Sequence, residues 1–289
     1  MPASDDATLT DAVLHSFASA PDPRARELLA KLVTHLHAFV RDARLTLDEW
    51  RAAIDFVTRT GQTCSASRQE VILLSDVLGV SMLVDAITHR DRGGATDTTV
   101  LGPFHVGEHR VAPNGSDLAP GAPGERLFVD AIVSEPAGPP IVGAEIDVWH
   151  ADGDGLYDSQ RPGYTLDAPA LRARFITGPD GRFSFRTIVP CSYPVPTDGP
   201  VGELLRAGGR HAMRPAHIHF LLRAPGFEPC VTHLFVAGDD HLASDAVFGV
   251  KPSLVVALEP RDEPAFPDGS PAAARWQLLT YRFAMKRAA

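Results

Sequence analysis

Cysteine is scarce: Cys64, Cys191 and Cys230 are the only three in 289 residues, odd in number and far apart. That excludes a disulfide framework and a zinc ribbon, and sets reduced thiols in the cytoplasm as the expectation. Positive charge is nowhere concentrated. With no Lys/Arg run and a net charge of −9, the chain lacks the basic face that nucleic acid or an anionic membrane requires. Neither partner is expected, and a small-molecule ligand is the default. The start, Met1-Pro2-Ala3-Ser4-Asp5-Asp6, has no basic-then-apolar leader, so export is not expected. The longest apolar tract, residues 71–87, is interrupted by Ser75, Asp76, Ser81 and Asp85, which predicts a buried helix and not a bilayer span. Internal repeats and low-complexity segments are also missing.

What is present changes character near residue 95. Before it, Asp22-Pro23 is a helix-start signal ahead of Leu28, Leu29, Leu32, Val33, Leu36, Phe39 and Val40 at three-to-four spacing. Thr46-Leu47-Asp48-Glu49 and Ser67-Arg68-Gln69-Glu70 read as capping boxes, the first opening a helix that stops near Gly61, the second the tract that carries Asp76. After residue 95 come most of the 25 prolines and 24 glycines, with short alternating apolar runs at 127–134, 144–150, 183–188, 216–223, 230–236, 253–258 and 276–283. The expected fold is mainly β: an antiparallel β-sandwich over 96–289, with long loops at 151–175 and 190–214, preceded by a helical domain over 1–95.

Chemistry concentrates in Ala216-His217-Ile218-His219-Phe220. Side chains two apart in a strand share a face, so two imidazoles stand together on a buried wall, half of a metal site. A lone histidine in an apolar strand is more often a hydrogen-bonded core residue; the doublet, with tyrosines nearby, is what lifts it above that. Of four tyrosines, Tyr157, Tyr164 and Tyr193 fall in or beside the two long loops. A phenol, with a pKa of roughly 10, becomes a good ligand only to a strong Lewis acid, and ferric iron is the natural candidate.

Four runs then carry a family resemblance: Thr99-Val100-Leu101-Gly102-Pro103-Phe104, Asp147-Val148-Trp149-His150-Ala151-Asp152 with Tyr157, Ser192-Tyr193-Pro194-Val195-Pro196-Thr197-Asp198-Gly199-Pro200, and Arg214-Pro215-Ala216-His217-Ile218-His219-Phe220. In this order they resemble the intradiol ring-cleaving dioxygenases. The resemblance implies one Fe(3+) per chain, with Tyr157 and His217 equatorial and Tyr193 and His219 axial. It implies a catalytic Arg214, and His233 where catechol-cleaving relatives commonly carry Gln. Leu73, Asp76, Val100, Leu101, Gly102, Pro103, Phe104, Val195, Pro196 and Val247 match pocket positions.

The implied reaction inserts both atoms of O2 between adjacent hydroxylated carbons of an aromatic diol or triol. Hydroxyquinol (benzene-1,2,4-triol) is the expected substrate and catechol or chlorocatechol the alternative. A homodimer through the N-terminal helices, with a lipid held between them, is implied as well. Outside the resemblance, Asp76 in its apolar helix either has a partner, faces a polar pocket, or sits on a helix face that reaches solvent. Tyr164 reads as packing or rim, His150 and His211 as surface or supporting residues, and Cys191 as a small buried filler. The competing class is a non-catalytic transthyretin-like β-sandwich module, since strand-turn-strand text such as 143–148 followed by 179–185 is shared with such modules.

Overall fold

The computed structural model describes residues 6–65, 68–107, 110–161, 163–165 and 169–288. The chain divides into two compact units, Met1–Arg59 and Thr60–Ala289. The first holds α1 (Asp6–Ser16), α2 (Pro23–Ala43) and most of α3 (Leu47–Thr63). The start signals work as read: the Asp22 carboxylate accepts from the Arg24 amide at 2.9 Å with Pro23 as first helical residue, and Thr46 and Glu49 bond each other reciprocally. α3 runs past Gly61 to Thr63. No residue of α2 is buried, and Leu28, Leu32, Leu36, Phe39 and Val40 are between 45% and 59% exposed.

In the second unit the tract expected to be one buried helix is two, α4 (Glu70–Val77) and α5 (Val80–Thr88), bent by 74°. The break is local chemistry: Gly79 sits at φ +71°, a left-handed conformation that side-chain-bearing residues disfavour. Burial is partial too. Leu73, Asp76, Val77 and Met82 turn inward while Val71, Ile72, Leu83, Val84 and Ile87 stay more than 40% exposed. Ser67, and with it the expected capping box, lies outside the described residues; Glu70 accepts from the Val201 amide at 3.1 Å and from Arg68.

The β region forms β1 (Ser116–Asp117), β2 (Arg126–Ser134), β3 (Glu145–Trp149), β4 (Arg172–Ile176), β5 (Arg182–Ile188), β6 (Tyr193–Pro194), β7 (Met213–Arg214), β8 (His217–Arg223), β9 (Cys230–Val236), β10 (Val255–Val256), β11 (Glu259–Arg261) and β12 (Trp276–Ala284). Two five-stranded sheets run β1-β5-β2-β12-β11 and β10-β9-β8-β3-β4, and β6 and β7 form a two-residue ribbon. The sheets are mixed, which corrects the antiparallel expectation. β2 and β12 pair in parallel from Trp276↔Arg126 to Ala284↔Ser134, and β1–β5 and β9–β10 are parallel as well. Hydrophobic alternation fixes which face of a strand is buried; it carries no information about strand direction.

One apolar core joins the two sheets: Leu127, Val129, Phe183 and Phe185 from the first meet Ile146, Val148, Ile218 and Phe220 from the second. The segments expected to be loops carry elements of their own: β4 starts inside 151–175, and β6, β7 and α6 (Pro200–Ala207), the last begun by Gly199-Pro200, lie within 190–214.

Candidate metal centre

Period-two alternation divides β8. Ile218, Phe220 and Leu222 enter the shared core, so His217 and His219 stand on the opposite face of the sheet. That face is covered by loops, and both histidines are 1% exposed. Adjacent strands supply neighbours by register: Trp149 of β3 pairs with His219 and stacks on its ring at 4.7 Å, and His233 of β9 pairs with it from the other side. Tyr157 follows β3 and is oriented by a hydrogen bond from its amide to Gln160 Oε1 (2.9 Å), with Phe104 stacked on its ring at 4.4 Å. The ribbon pairs Tyr193 of β6 with Arg214 of β7, delivering a phenol and a guanidinium to the same wall.

Four donor atoms result in a connected chain. Tyr193 Oη lies 3.0 Å from Tyr157 Oη, which lies 2.8 Å from His219 Nε2, which lies 3.1 Å from His217 Nε2. Ligands about 2.1 Å from one small cation and at right angles are about 3.0 Å apart, so the spacing fits atoms sharing an ion. Charge state agrees. Burial, and then Arg214, push His217 down to about 3, and burial with the neighbouring His233 and His217 holds His219 well below its ordinary value. Both rings are neutral. His217 Nδ1 lies 2.6 Å from the Pro215 carbonyl, which assigns the proton to Nδ1 and leaves the Nε2 lone pair facing the centre. Burial, and then Tyr193, raise Tyr157 well above the usual phenol value; burial also raises Tyr193, against Arg214. Both phenols therefore keep their protons until a strong Lewis acid displaces them.

His233 adds a third imidazole. Its ring is 4.1 Å from His219, the ligand atoms of His217, His219 and His233 lie within 4.8 Å of one another, and its Nε2 finds no hydrogen-bond partner among the described residues. The tyrosine-histidine set has the shorter spacing. Arg214 is 2% exposed, with Nη1 3.1 Å from His217 Nε2 and Nε 3.1 Å from Asp245. Burial alone would lower both groups' tendency to ionise, but each offsets this for the other, keeping Arg214 cationic and Asp245 below the usual carboxylate range.

Of the expected pocket residues, Leu73, Pro103, Phe104 and Pro196 line a cavity of about 360 Å³ with Arg68, Glu70 and Gln160 among others. Val100, Val195 and Val247 join Leu73 in the apolar cluster beside it. Leu101 is 40% exposed. Gly102 must be glycine: it has φ +77°, and a Cβ there would stand 3.2 Å from His219 Cε1. Asp76 is 2% exposed and does not line the cavity; burial raises its pKa against a hydrogen bond from Ser81 and the charge of Arg214.

Other readings need correction. Of the two readings for His150 the surface one falls: it is buried, with Nε2 2.7 Å from Thr187 Oγ1. Cys191 is half-buried, with Sγ 3.3 Å from the Asp152 carbonyl. Sequence reasoning missed Asp245, Trp149 and Arg172. A buried arginine demands a carboxylate, but nothing in the text singles out one of 36 acidic residues.

A family model described as Dioxygenase matches residues 104–284, and one described as Catechol dioxygenase N terminus matches 22–96. The chain belongs to the intradiol ring-cleavage dioxygenase family. It is 51% identical to the 6-chlorohydroxyquinol 1,2-dioxygenase of Cupriavidus pinatubonensis, over 87% of this chain and 90% of the relative. It is 48% identical to the hydroxyquinol 1,2-dioxygenase of a Rhizobium species, over 86% and 84%. Among solved structures it is similar to the hydroxyquinol 1,2-dioxygenase of Pseudomonas putida DLL-E4, with TM-score 0.89, 44% identity and coverage of 98% and 99%. The family boundary between 96 and 104 follows the change in sequence texture, whereas α4 and α5 belong to the same compact unit as the sheets.

The depressed His217 has a consequence for stability. Between about 3 and the ordinary 6.5 the unfolded chain binds a proton that the folded one refuses, so stability of metal-free protein is lost as pH is lowered from 6.5 towards 3, by about 1.4 kcal/mol per pH unit at full slope for this one group. Above the window the contribution is constant. Denaturant melts across the acid range should show the slope reduced in His217→Gln; an equal slope would assign the acid sensitivity to other groups.

Proposed function

We propose that the chain cleaves hydroxyquinol between its adjacent hydroxylated carbons, consuming O2 and giving 3-hydroxy-cis,cis-muconate, the tautomer of maleylacetate. The observation that carries this reading is the dry four-atom chain of Tyr157, Tyr193, His217 and His219 beside a small cavity, in a chain whose relatives at 48% and 47% identity are named for hydroxyquinol. One ferric ion per chain, bound by those four residues, would supply the Lewis acidity that takes a ring diol as its dianion and prepares it for O2.

The residues divide the remaining work. Tyr193 Oη, on a ribbon only two residues long, is the base that takes a proton from the incoming diol, while Tyr157, stacked under Phe104, keeps its place. Arg214, fixed by Asp245, holds a permanent positive charge beside His217 and stabilises negative charge that builds on the ring oxygens. Leu73, Pro103, Phe104 and Pro196 exclude water and fix the ring plane, and His233 offers its Nε2 to a polar substituent. Asp76 stands outside the cavity lining, one helical turn from Leu73, and under this reading the third hydroxyl has to reach past Leu73 to this carboxylate. At about 360 Å³ the cavity is near the lower end of small-molecule sites, about 300–1,000 Å³, which suits a single ring.

The exposed apolar face of α2 suits a homodimer through the N-terminal helices, with a lipid chain between them. No single helix among the described residues is long and apolar enough to cross a membrane, and the three thiols are unpaired, as suits a cytoplasmic enzyme.

Three measurements test the reading. Iron-replete protein should show a broad visible phenolate-to-iron band that Tyr157→Phe and Tyr193→Phe each shift or weaken and Tyr164→Phe does not; an unchanged band in Tyr157→Phe with iron retained removes it from the ligand set. Oxygen uptake should give hydroxyquinol the higher kcat/KM over catechol. Because an unpaired buried polar group costs roughly 1–3 kcal/mol, Asp76→Ala should lower kcat/KM for the triol by about one to two decades and leave catechol less affected. Equal losses on both substrates would make that carboxylate structural. Light scattering should report a dimer, and a species of 31.0 kDa alone would exclude one.

A further inference from the structure

One buried guanidinium lies beside the centre without touching any of its four donor atoms. Arg172, on β4, has a side chain 2% exposed. Its Nε lies 2.8 Å from both carboxylate oxygens of Asp158, and its Nη2 also bonds Asp158. Its Nη1 donates to the Phe104 carbonyl at 3.2 Å. Asp158 is the residue after Tyr157, and Phe104 is the ring stacked on Tyr157 at an interplanar angle of 19°. The same strand position pairs in register with Trp149, whose indole lies flat on His219. A single side chain thus holds the backbone beside Tyr157 and the segment whose ring lies on it. Asp158 is spent on this task, since its remaining side-chain contacts among the described residues are the amides of Ser159 (2.7 Å) and Ala170 (3.1 Å).

Burying an arginine is costly unless its charge and its N–H groups are all answered, and here a carboxylate and a carbonyl answer them in the flat fork that lysine cannot reproduce. Tyr193 is held differently: it pairs with Arg214 across the two-residue ribbon, and Ser192 before it bonds Asp239, which also accepts from the Ala216 amide. We infer that Arg172 is the positioning residue for Tyr157, fixing that phenol through Asp158 and Phe104. The inference rests on the ligand role given to Tyr157 above.

The test uses iron-loaded full-length protein with Arg172→Gln, Arg172→Lys and Asp158→Asn, and with Arg182→Gln as control, whose exposed ion pair to Asp130 lies away from the site. The three variants are expected to shift the visible band, speed iron release to a chelator by about tenfold, and lower kcat by about 10–100-fold with KM within about threefold. Arg172→Lys should not rescue, because charge without the fork does not hold both partners. The control should leave all three readouts unchanged. If the Arg172 variants do not fold, Asp158→Asn decides by the same readouts. A folded, iron-replete variant with a lower Tm but an unmoved band and unaltered iron release overturns the inference. Tyr157→Phe separates the two layers: if it moves the band and the clamp variants do not, only the positioning role falls; if it does not move the band, both fall.

Discussion

The arrangement on which everything else depends is a meeting of lone pairs. His217 Nε2 and His219 Nε2 stand 3.1 Å apart in a space closed to water, with Tyr157 Oη at 2.8 Å from the second. The proton of His217 is spent on the Pro215 carbonyl. If the proton of His219 is on Nδ1, it finds no acceptor among the described residues; if it is on Nε2, Tyr157 loses its acceptor there. Neither tautomer satisfies every atom, and unsatisfied buried polar groups cost on the order of 1–3 kcal/mol each. A cation bound at Nε2 would fix the Nδ1–H tautomer of His219 and take up the lone pairs that meet there, and under the proposed function the donor set suits such an ion.

The fold bears that cost by rigidity on every side. The sandwiched face of β8 is anchored by Ile218, Phe220 and Leu222 in the shared core, so the imidazoles cannot swing away without lifting the strand. Trp149 closes one side of His219 and Gly102 approaches the other without a side chain. Arg214 and Asp245 form a buried pair beside His217 whose fixed charges need no solvent. The shorter, less supported piece is the β6–β7 ribbon, and it carries the one donor that the proposed reaction asks to exchange a proton with substrate.

How much of this was legible in the sequence depended on the range of the interaction. The His217/His219 pair is a consequence of strand periodicity and could be read locally, as could the caps at Asp22 and Thr46. Tyr157 and Tyr164 differ by seven positions and not at all in chemistry; only the surrounding run separated them, and the structure places the Tyr164 ring 6.0 Å from the Arg172 guanidinium and outside the donor chain. The partners fixed by tertiary contact were out of reach: Asp245 is 31 residues from Arg214, and Arg172 is 68 from Phe104. Strand direction failed for the same reason, since the parallel pairing of β2 with β12 joins residues about half the chain apart and leaves alternation unchanged.

The short helix α4 shows why burial alone does not distinguish a structural carboxylate from a functional one. Glu70 and Asp76 are 1% and 2% exposed on the same eight residues. Glu70 is answered by a cation and an amide, Arg68 and Val201, and Arg68 in turn bonds Asp198, so this carboxylate is consumed in tying α4 to the loop after Tyr193. Asp76 has a hydroxyl, Ser81, and only the more distant field of Arg214, and burial raises its pKa. Of the two, Asp76 is the one with no ion pair among the described residues, and under the proposed reaction it is the carboxylate that the extra hydroxyl of a triol would use and a catechol would not.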